Sequence, residues 1–269
     1  MKLAAITLER HGSLALKPLE TYYSFAARDS LIPVVAAELS QLVPMIPLAF
    51  LPSEQSYLLV AVASLHPGSN LYVAPASGQW LGAYVPAALR AYPFRMVVPA
   101  EGEAPVLCID EDSGLLAPKG QGMEFFDAAG KPTKSIQDIA DFLAQIERNR
   151  RATQAAVDAL SAAGVIQPWP LQTEKDGEPV PVNGLFRIDE SALNALDAET
   201  LKGLGEKGAL AIAYAQLFSM NQLSVLQKLQ PMREQLQAKA QAAQQAAGAS
   251  DLNLEFLSGS DTISLGGLH

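Results

Sequence analysis

One cysteine, three histidines and 17% charged residues among 269 leave several kinds of chemistry without their usual side chains. Cys108 stands alone, which excludes an internal disulfide and any structural zinc site built on cysteine pairs. It lies in the apolar run VLCID, where a buried, inert thiol is expected. His11, His66 and His269 are far apart, and none has a second histidine or a carboxylate pair at helical or loop spacing, so the sequence predicts no metal centre. The nucleophile-elbow string G-x-S-x-G is missing as well, and no catalytic residue or cofactor is predicted. Basic residues are scarce: 19 Lys and Arg against 28 Asp and Glu give a net charge of −9. An acidic chain repels phosphate backbones, so nucleic acid is excluded unless a local basic patch offsets that charge. The nearest to one is Arg148, Arg150 and Arg151, which share a helical segment with Glu147 and read as a solvated face.

Long uninterrupted apolar runs are also lacking. The opening MKLAAITLER carries an apolar run of six residues, too short for a secretory signal, which predicts a cytoplasmic location without classical export. From Gln55 to Leu89 no Lys, Arg, Asp or Glu occurs, but HPGSN, Pro75 and SGQ cut the stretch into pieces. Ala209 to Gln227 is uncharged too, yet Gln216, Ser219, Asn221, Gln222 and Ser224 punctuate it. Those polar groups are costly in lipid unless paired, so a buried helix is predicted there and no membrane span.

What is present is 49% apolar residues arranged in short segments. LAAITL, IPLAF, YLLVAVASL, NLYVA, FRMVV and VLCID have strand lengths and proline or glycine flanks. LIPVVAAELSQLVP reads as one helix and VPAALRAY as a short one opened by Pro86. A long helix follows, with Ser135 and Asp138 as an approximate capping box and Gly164 as its stop. VIQPWPLQTE and GLFRI are extended, and from Asp189 the chain is helical, with Pro231 expected to kink or interrupt the last helix. The fold class is therefore α+β: a β-rich half with short helices over residues 1–134, and a helix-rich half over 135–247 packed on it. The Pro- and Gly-rich stretch 165–188 marks a candidate internal boundary. In the tail, 248–269, Leu252, Leu254 and Phe256 alternate, as in a strand that docks on a partner or closes the protein's own sheet.

Two motif matches fail on context. GLGEKG, Gly203 to Gly208, has the G-x-G-x-x-G spacing, but a helical LDAETLK precedes it instead of a strand, so it reads as a helix break. Asp110, Asp112 and Gly114 resemble the start of a calcium loop, but Gln121 at the twelfth position supplies no carboxylate, leaving an acidic surface turn. The richest stretch is GQWLGAYVPAALRAYPF, Gly78 to Phe94. Trp80, Tyr84, Arg90 and Tyr92 are residue types enriched where binding energy concentrates, and equally the types that fill a core, with Arg90 paired to a carboxylate such as Glu38.

This stretch, with PVVAAELSQLVPMIPLAF, LCIDEDSG, FFDAAGKPT and GLFRIDESALNALDAETLKGLGEKGALAIAYAQLFSM, resembles the SapC family of bacterial proteins over most of residues 20–230. The string G-x-W-x-x-x-Y-x-P-x-x-x-R-x-Y-P-F is its most specific part. The resemblance implies two associations: a bacterial surface layer, and gene neighbourhoods with flavin-dependent halogenase-like enzymes, cupin-like oxygenases and TonB-dependent receptors. Neither supplies a reaction. The preferred expectation is a non-catalytic binding or adaptor protein working with such an enzyme or an outer-membrane uptake system. The alternatives are a surface-layer protein that reaches the cell surface by a non-classical route, and an enzyme of unrecognised type. Trp80, Tyr84, Arg90 and Tyr92 are the candidate recognition residues, and Leu252, Leu254 and Phe256 the candidate docking tail.

Overall fold

Short apolar runs between prolines and glycines favour short antiparallel strands over long ones. The computed structural model describes residues 2–18, 23–54, 56–99, 104–175 and 178–251. The chain begins with β1 (Leu3–Ala5), α1 (Leu8–His11) and β2 (Leu14–Leu16). A 3-10 turn at Ser24–Ala26 leads to β3 (Leu31–Pro33), a second 3-10 turn at Ala36–Glu38, α2 (Leu39–Leu42), and the hairpin of β4 (Leu48–Pro52) and β5 (Tyr57–Val62). After a long loop come α3 (Ala87–Arg90), β6 (Phe94–Val97), β7 (Val106–Asp110), β8 (Leu116–Pro118), β9 (Met123–Glu124) and the long helix α4 (Lys134–Ala162). The remainder comprises β10 (Ile166–Pro168), β11 (Leu171–Lys175), β12 (Glu178–Val182), β13 (Phe186–Ile188), α5 (Glu190–Asn194), α6 (Ala198–Glu206), α7 (Ala209–Ser219) and α8 (Leu223–Asp251). The fold is α+β, with a β-rich first half and a helix-rich second half.

The largest sheet has the order β10-β13-β4-β5-β3, so strands on both sides of α4 in sequence complete it. Among the described residues, two three-stranded sheets, β1-β7-β6 and β8-β2-β9, and the separate β11-β12 hairpin make up the rest. Two apolar clusters result. One gathers Phe50, Leu48, Ile32 and Val62 of the large sheet with Val157, Leu160 and Ile212. The other gathers Phe94, Ile109 and Phe125 with Ile136 and Leu143. Helix α4 serves both because its 29 residues extend about 43 Å, with Ile136 and Leu143 buried near one end and Ala156, Val157 and Leu160 near the other. Gly164, at φ 69, ends it in the left-handed region.

Helix α7 shows why an uncharged segment carries buried polar side chains. Gln216 Oε1 accepts from Ile188 N at 2.9 Å and its Nε2 donates to Leu48 O at 3.2 Å, while Ser219 Oγ accepts from Leu48 N at 2.9 Å. These bonds join the helix to β13 and β4 and satisfy groups that would be costly unpaired. By length and composition alone, Ala209–Leu236 is apolar enough to cross a bilayer. In the fold it is divided by a 3-10 turn at Met220–Gln222, and Ala209, Ile212 and Ala213 are fully buried.

Several local expectations require correction. LIPVVAAELSQLVP is not one helix: Leu31–Pro33 pairs with β5, because the open edge of β5 takes up the β-branched end of that run, and helix begins only after Val35. NLYVA forms a single bridge, Val73 to Trp80, since Asn70 diverts the local hydrogen bonding. Its Nδ2 donates to Ala26 O and its Oδ1 accepts from Tyr72 N, both at 3.0 Å. Helix α4 is preceded by Thr133, not Ser135, and Thr133 Oγ1 donates to Glu124 O instead of capping, while Asp138 pairs with Lys134. Helix α8 continues through Pro231, and the interruption falls at Met220–Gln222 instead. The GLGEKG segment does follow helical sequence, and its last glycine, Gly208 at φ 69, separates α6 from α7.

Candidate functional site

The aromatic stretch is anchored by Trp80, which is 8% exposed. Its ring stacks on Tyr72 with centroids 5.4 Å apart and meets Tyr23 edge-on at 6.0 Å. The indole Nε1 donates to Tyr84 O at 2.9 Å, so the one polar group of the side chain is satisfied inside. Gly78 is required for this packing. It adopts φ 66, and a Cβ there would lie 2.1 Å from Ser24 Oγ.

A buried carboxylate organises the next turn. Glu38 Oε1 accepts from the Tyr84 hydroxyl at 2.9 Å and from Ala87 N at 2.6 Å, and Oε2 accepts from Val35 N at 3.3 Å. Arg90 does not pair with Glu38 directly. Its Nη2 donates to the Tyr84 hydroxyl at 3.0 Å, and its guanidinium lies over the rings of Tyr84 and Phe142 at 5.2 and 5.0 Å. Burial, followed by the Glu38 hydrogen bond, pushes the Tyr84 phenol up to about 12. Tyr92 stacks on Phe25 with centroids 3.8 Å apart, and burial raises its phenol too. Thus Trp80, Tyr84 and Arg90 share one hydrogen-bonded chain, while Tyr92 belongs to a neighbouring stack. Only Arg90 among the four is exposed.

Beyond Trp80 the same loop forms one wall of a cleft. Tyr72 and Val73, which hold Trp80, adjoin Leu71, and the Arg233 guanidinium of α8 donates to the Asn70 carbonyl and, at 3.2 Å, to the Val73 carbonyl. Between this loop, the β11-β12 hairpin and α8 lies a cleft of about 830 Å³. Leu65, Leu71, Pro179 and Leu226 give it apolar walls, and Gln172, Gln227, Gln230 and Glu234 line it with amides and one carboxylate. His66 Nε2 lies 3.0 Å from Thr173 Oγ1, joining the loop to the hairpin. Gln230 Oε1 is buried and has no hydrogen-bond partner among the described residues. A cavity of this size with a few convergent polar groups is the usual form of a ligand site.

None of the four candidate recognition residues lines the cleft; Trp80 adjoins its wall through Tyr72 and Val73, while Tyr84, Arg90 and Tyr92 make their contacts with Glu38, Phe142 and Phe25. The lining residues, above all His66, Thr173 and Gln230, were not expected from sequence, since each sits in an unexceptional local context. The one available signal was Pro231, a helix-breaking residue among glutamines in an otherwise helical run. Leu252, Leu254 and Phe256 lie outside the described residues.

The remaining chemistry-bearing side chains are committed elsewhere. Cys108 is buried and burial raises its thiol. His11 is fully buried beside Phe125, with Nε2 3.7 Å from Glu111 Oε1, and burial lowers its pKa. Asp110 Oδ1 accepts from Lys2 N and Asp112 N, closing an acidic turn. Glu147 pairs with Arg150 and Arg151 on the exposed face of α4. Among the described residues no group of three or more His, Cys, Asp or Glu side chains converges to hold a metal ion.

In comparisons with known proteins, residues 6–226 match the family model described as SapC. No curated protein and no solved structure matches the chain significantly.

Proposed function

The chain belongs to the SapC family, and on that premise we propose that it is a non-catalytic binding or adaptor protein that receives a segment of a partner protein in the cleft beside α8. The observation that carries this reading is the cleft itself, about 830 Å³ walled by aliphatic side chains and lined by amides. Glutamine side chains donate and accept at once, as peptide backbone does, and the leucines and prolines give apolar contact to flanking side chains. Trp80 contributes by holding Tyr72 and Val73 next to the wall, and the Tyr84, Arg90 and Tyr92 group, with Arg90 exposed, offers a second contact to the partner. The family resemblance names the kinds of partner to look for: a flavin-dependent halogenase-like or cupin-like enzyme, or an outer-membrane receptor system. The protein then works in the cytoplasm, where it meets the enzyme.

A second reading, an enzyme, is favoured by one observation, the Thr173–His66 contact, which has the spacing of a nucleophile and its base. Among the described residues no hydrogen bond orients the other nitrogen of His66, which is the third element such a pair uses.

The test is recovery of partners from the bacterium's own soluble extract with the tagged full-length chain and with its Gln227→Trp variant, which fills the cleft from an exposed position. One protein recovered in stoichiometric amount by the parent and lost with the variant supports the adaptor reading. Equal recovery by both, or none by either, contradicts it.

A further inference from the structure

We infer that the cleft recognises a cationic side chain, lysine or arginine, on the partner's segment; this rests on the reading of the cleft as a docking site. Acceptors on residues that line it lack donors. Gln230 Oε1 is buried with no partner among the described residues. The orientation of that amide is set by its other end, where Nε2 donates to Glu234 Oε1 at 2.8 Å; a carboxylate takes a donor, so the amide oxygen must face the other way. Pro231 has no N–H to give, so the Gln227 carbonyl loses the donor that a helix supplies four residues on. Gln227, Gln230, Pro231 and Glu234, all of α8, line the cleft.

Charge selects among possible donors. Glu234 forms no ion pair among the described residues. Among the described residues that line the cleft there is no Lys or Arg, and Nη1 of the nearby Arg233 donates to the Asn70 and Val73 carbonyls. A neutral amide would satisfy Gln230 and leave Glu234 uncompensated. An ammonium or guanidinium group satisfies both, through charge-assisted hydrogen bonds to the carboxylate and to the amide oxygen. The net charge of −9 draws such a segment in. The cleft is larger than one side chain needs, and its leucine walls accept flanking residues, which favours a cation carried on a chain over a free amine.

Calorimetric titration of the full chain tests this with pools of blocked seven-residue peptides, random at the flanks and fixed at the centre as lysine, arginine or norleucine, and with lysine amide. The expected result is that lysine and arginine pools bind at least about tenfold tighter than the norleucine pool, the effect of one charged hydrogen bond. Glu234→Gln and Gln230→Leu should each remove most of that difference, and added salt should shrink it. If norleucine binds as tightly as lysine at the cleft, cation recognition is wrong while the docking reading stands. If lysine amide binds as tightly as the peptide pool, the ligand is a small amine and the partner-borne side chain is overturned. No binding of any pool overturns both.

Discussion

The Tyr84 hydroxyl donates to Glu38 Oε1 at 2.9 Å, and through that bond the aromatic stretch is tied to the 3-10 turn that precedes α2. The same carboxylate oxygen accepts from Ala87 N, at the start of α3. Removing it leaves the Tyr84 hydroxyl, Ala87 N and Val35 N without their acceptor. Glu38→Ala is therefore expected to cost about 2–5 kcal/mol, with Glu38→Gln, which keeps one acceptor oxygen, costing less. Urea denaturation followed by far-UV circular dichroism measures the difference, and equal losses for the two variants would contradict this role.

Trp80 and Arg90 share the aromatic stretch but not its energetics. Trp80→Ala opens a cavity under Tyr72 and Tyr23 and is expected to destabilise by about 3–5 kcal/mol. Trp80→Phe keeps a ring and gives up the Nε1 bond, at roughly 1 kcal/mol. Arg90→Ala removes an exposed guanidinium and should cost no more than about 1 kcal/mol. Arg90→Ala is thus the variant that separates recognition from folding: thermal melts of the three variants give the order, and partner recovery with Arg90→Ala reports whether the guanidinium touches the partner.

Acid should weaken the fold through two adjacent groups. Burial holds His11 below its ordinary 6.5, and the Arg10 hydrogen bond holds Glu111 at about 2, down from 4.5. Each binds protons more weakly folded than unfolded, so stability falls with pH across each window. The His11 contribution is fully present above pH 6.5 and declines below it. The Glu111 contribution is fully present above pH 4.5 and is lost as pH falls towards 2. Urea midpoints at pH 8, 5.5 and 3.5 should descend in that order. His11→Asn should flatten the step between pH 8 and 5.5, and Glu111→Gln the step between 5.5 and 3.5.

Arg233 fastens α8 to the wall of the cleft through two backbone carbonyls and no carboxylate. Arg233→Met keeps the aliphatic length and removes the donors. Amide hydrogen exchange along Leu223–Gln235 and through Leu71–Val73 should quicken by about tenfold or more, since hydrogen bonds from a charged group contribute about 1.5–3 kcal/mol. Unchanged exchange in both segments would show that the fastening is not energetic.

Much of the β-rich half was legible because short-range signals agree with the final packing. IPLAF, YLLVAVASL, FRMVV, VLCID and GLFRI all contain strands, and Gly164 ends the long helix, since alternation and a left-handed glycine act within a few residues. Errors arose where a distant partner decided. Leu31–Pro33 is a strand because β5 lies beside it, and Thr133 turns to Glu124 O instead of the helix it precedes. The cleft was illegible for the same reason: His66 and Thr173 are 107 positions apart, and Arg233 and Asn70 163 apart. The aromatic stretch stood out in sequence because it concentrates rare residues, but its largest side chain packs inward and serves the site at one remove.

The most direct test of the cleft as a docking site is photo-crosslinking in living cells, with benzophenone placed at exposed Gln172 in the cleft or, as control, at exposed Arg148 of α4, which does not line it. The account predicts one dominant crosslinked partner from position 172, absent from 148 and diminished by Glu234→Gln. The same products from both positions, or no product from 172, would contradict it.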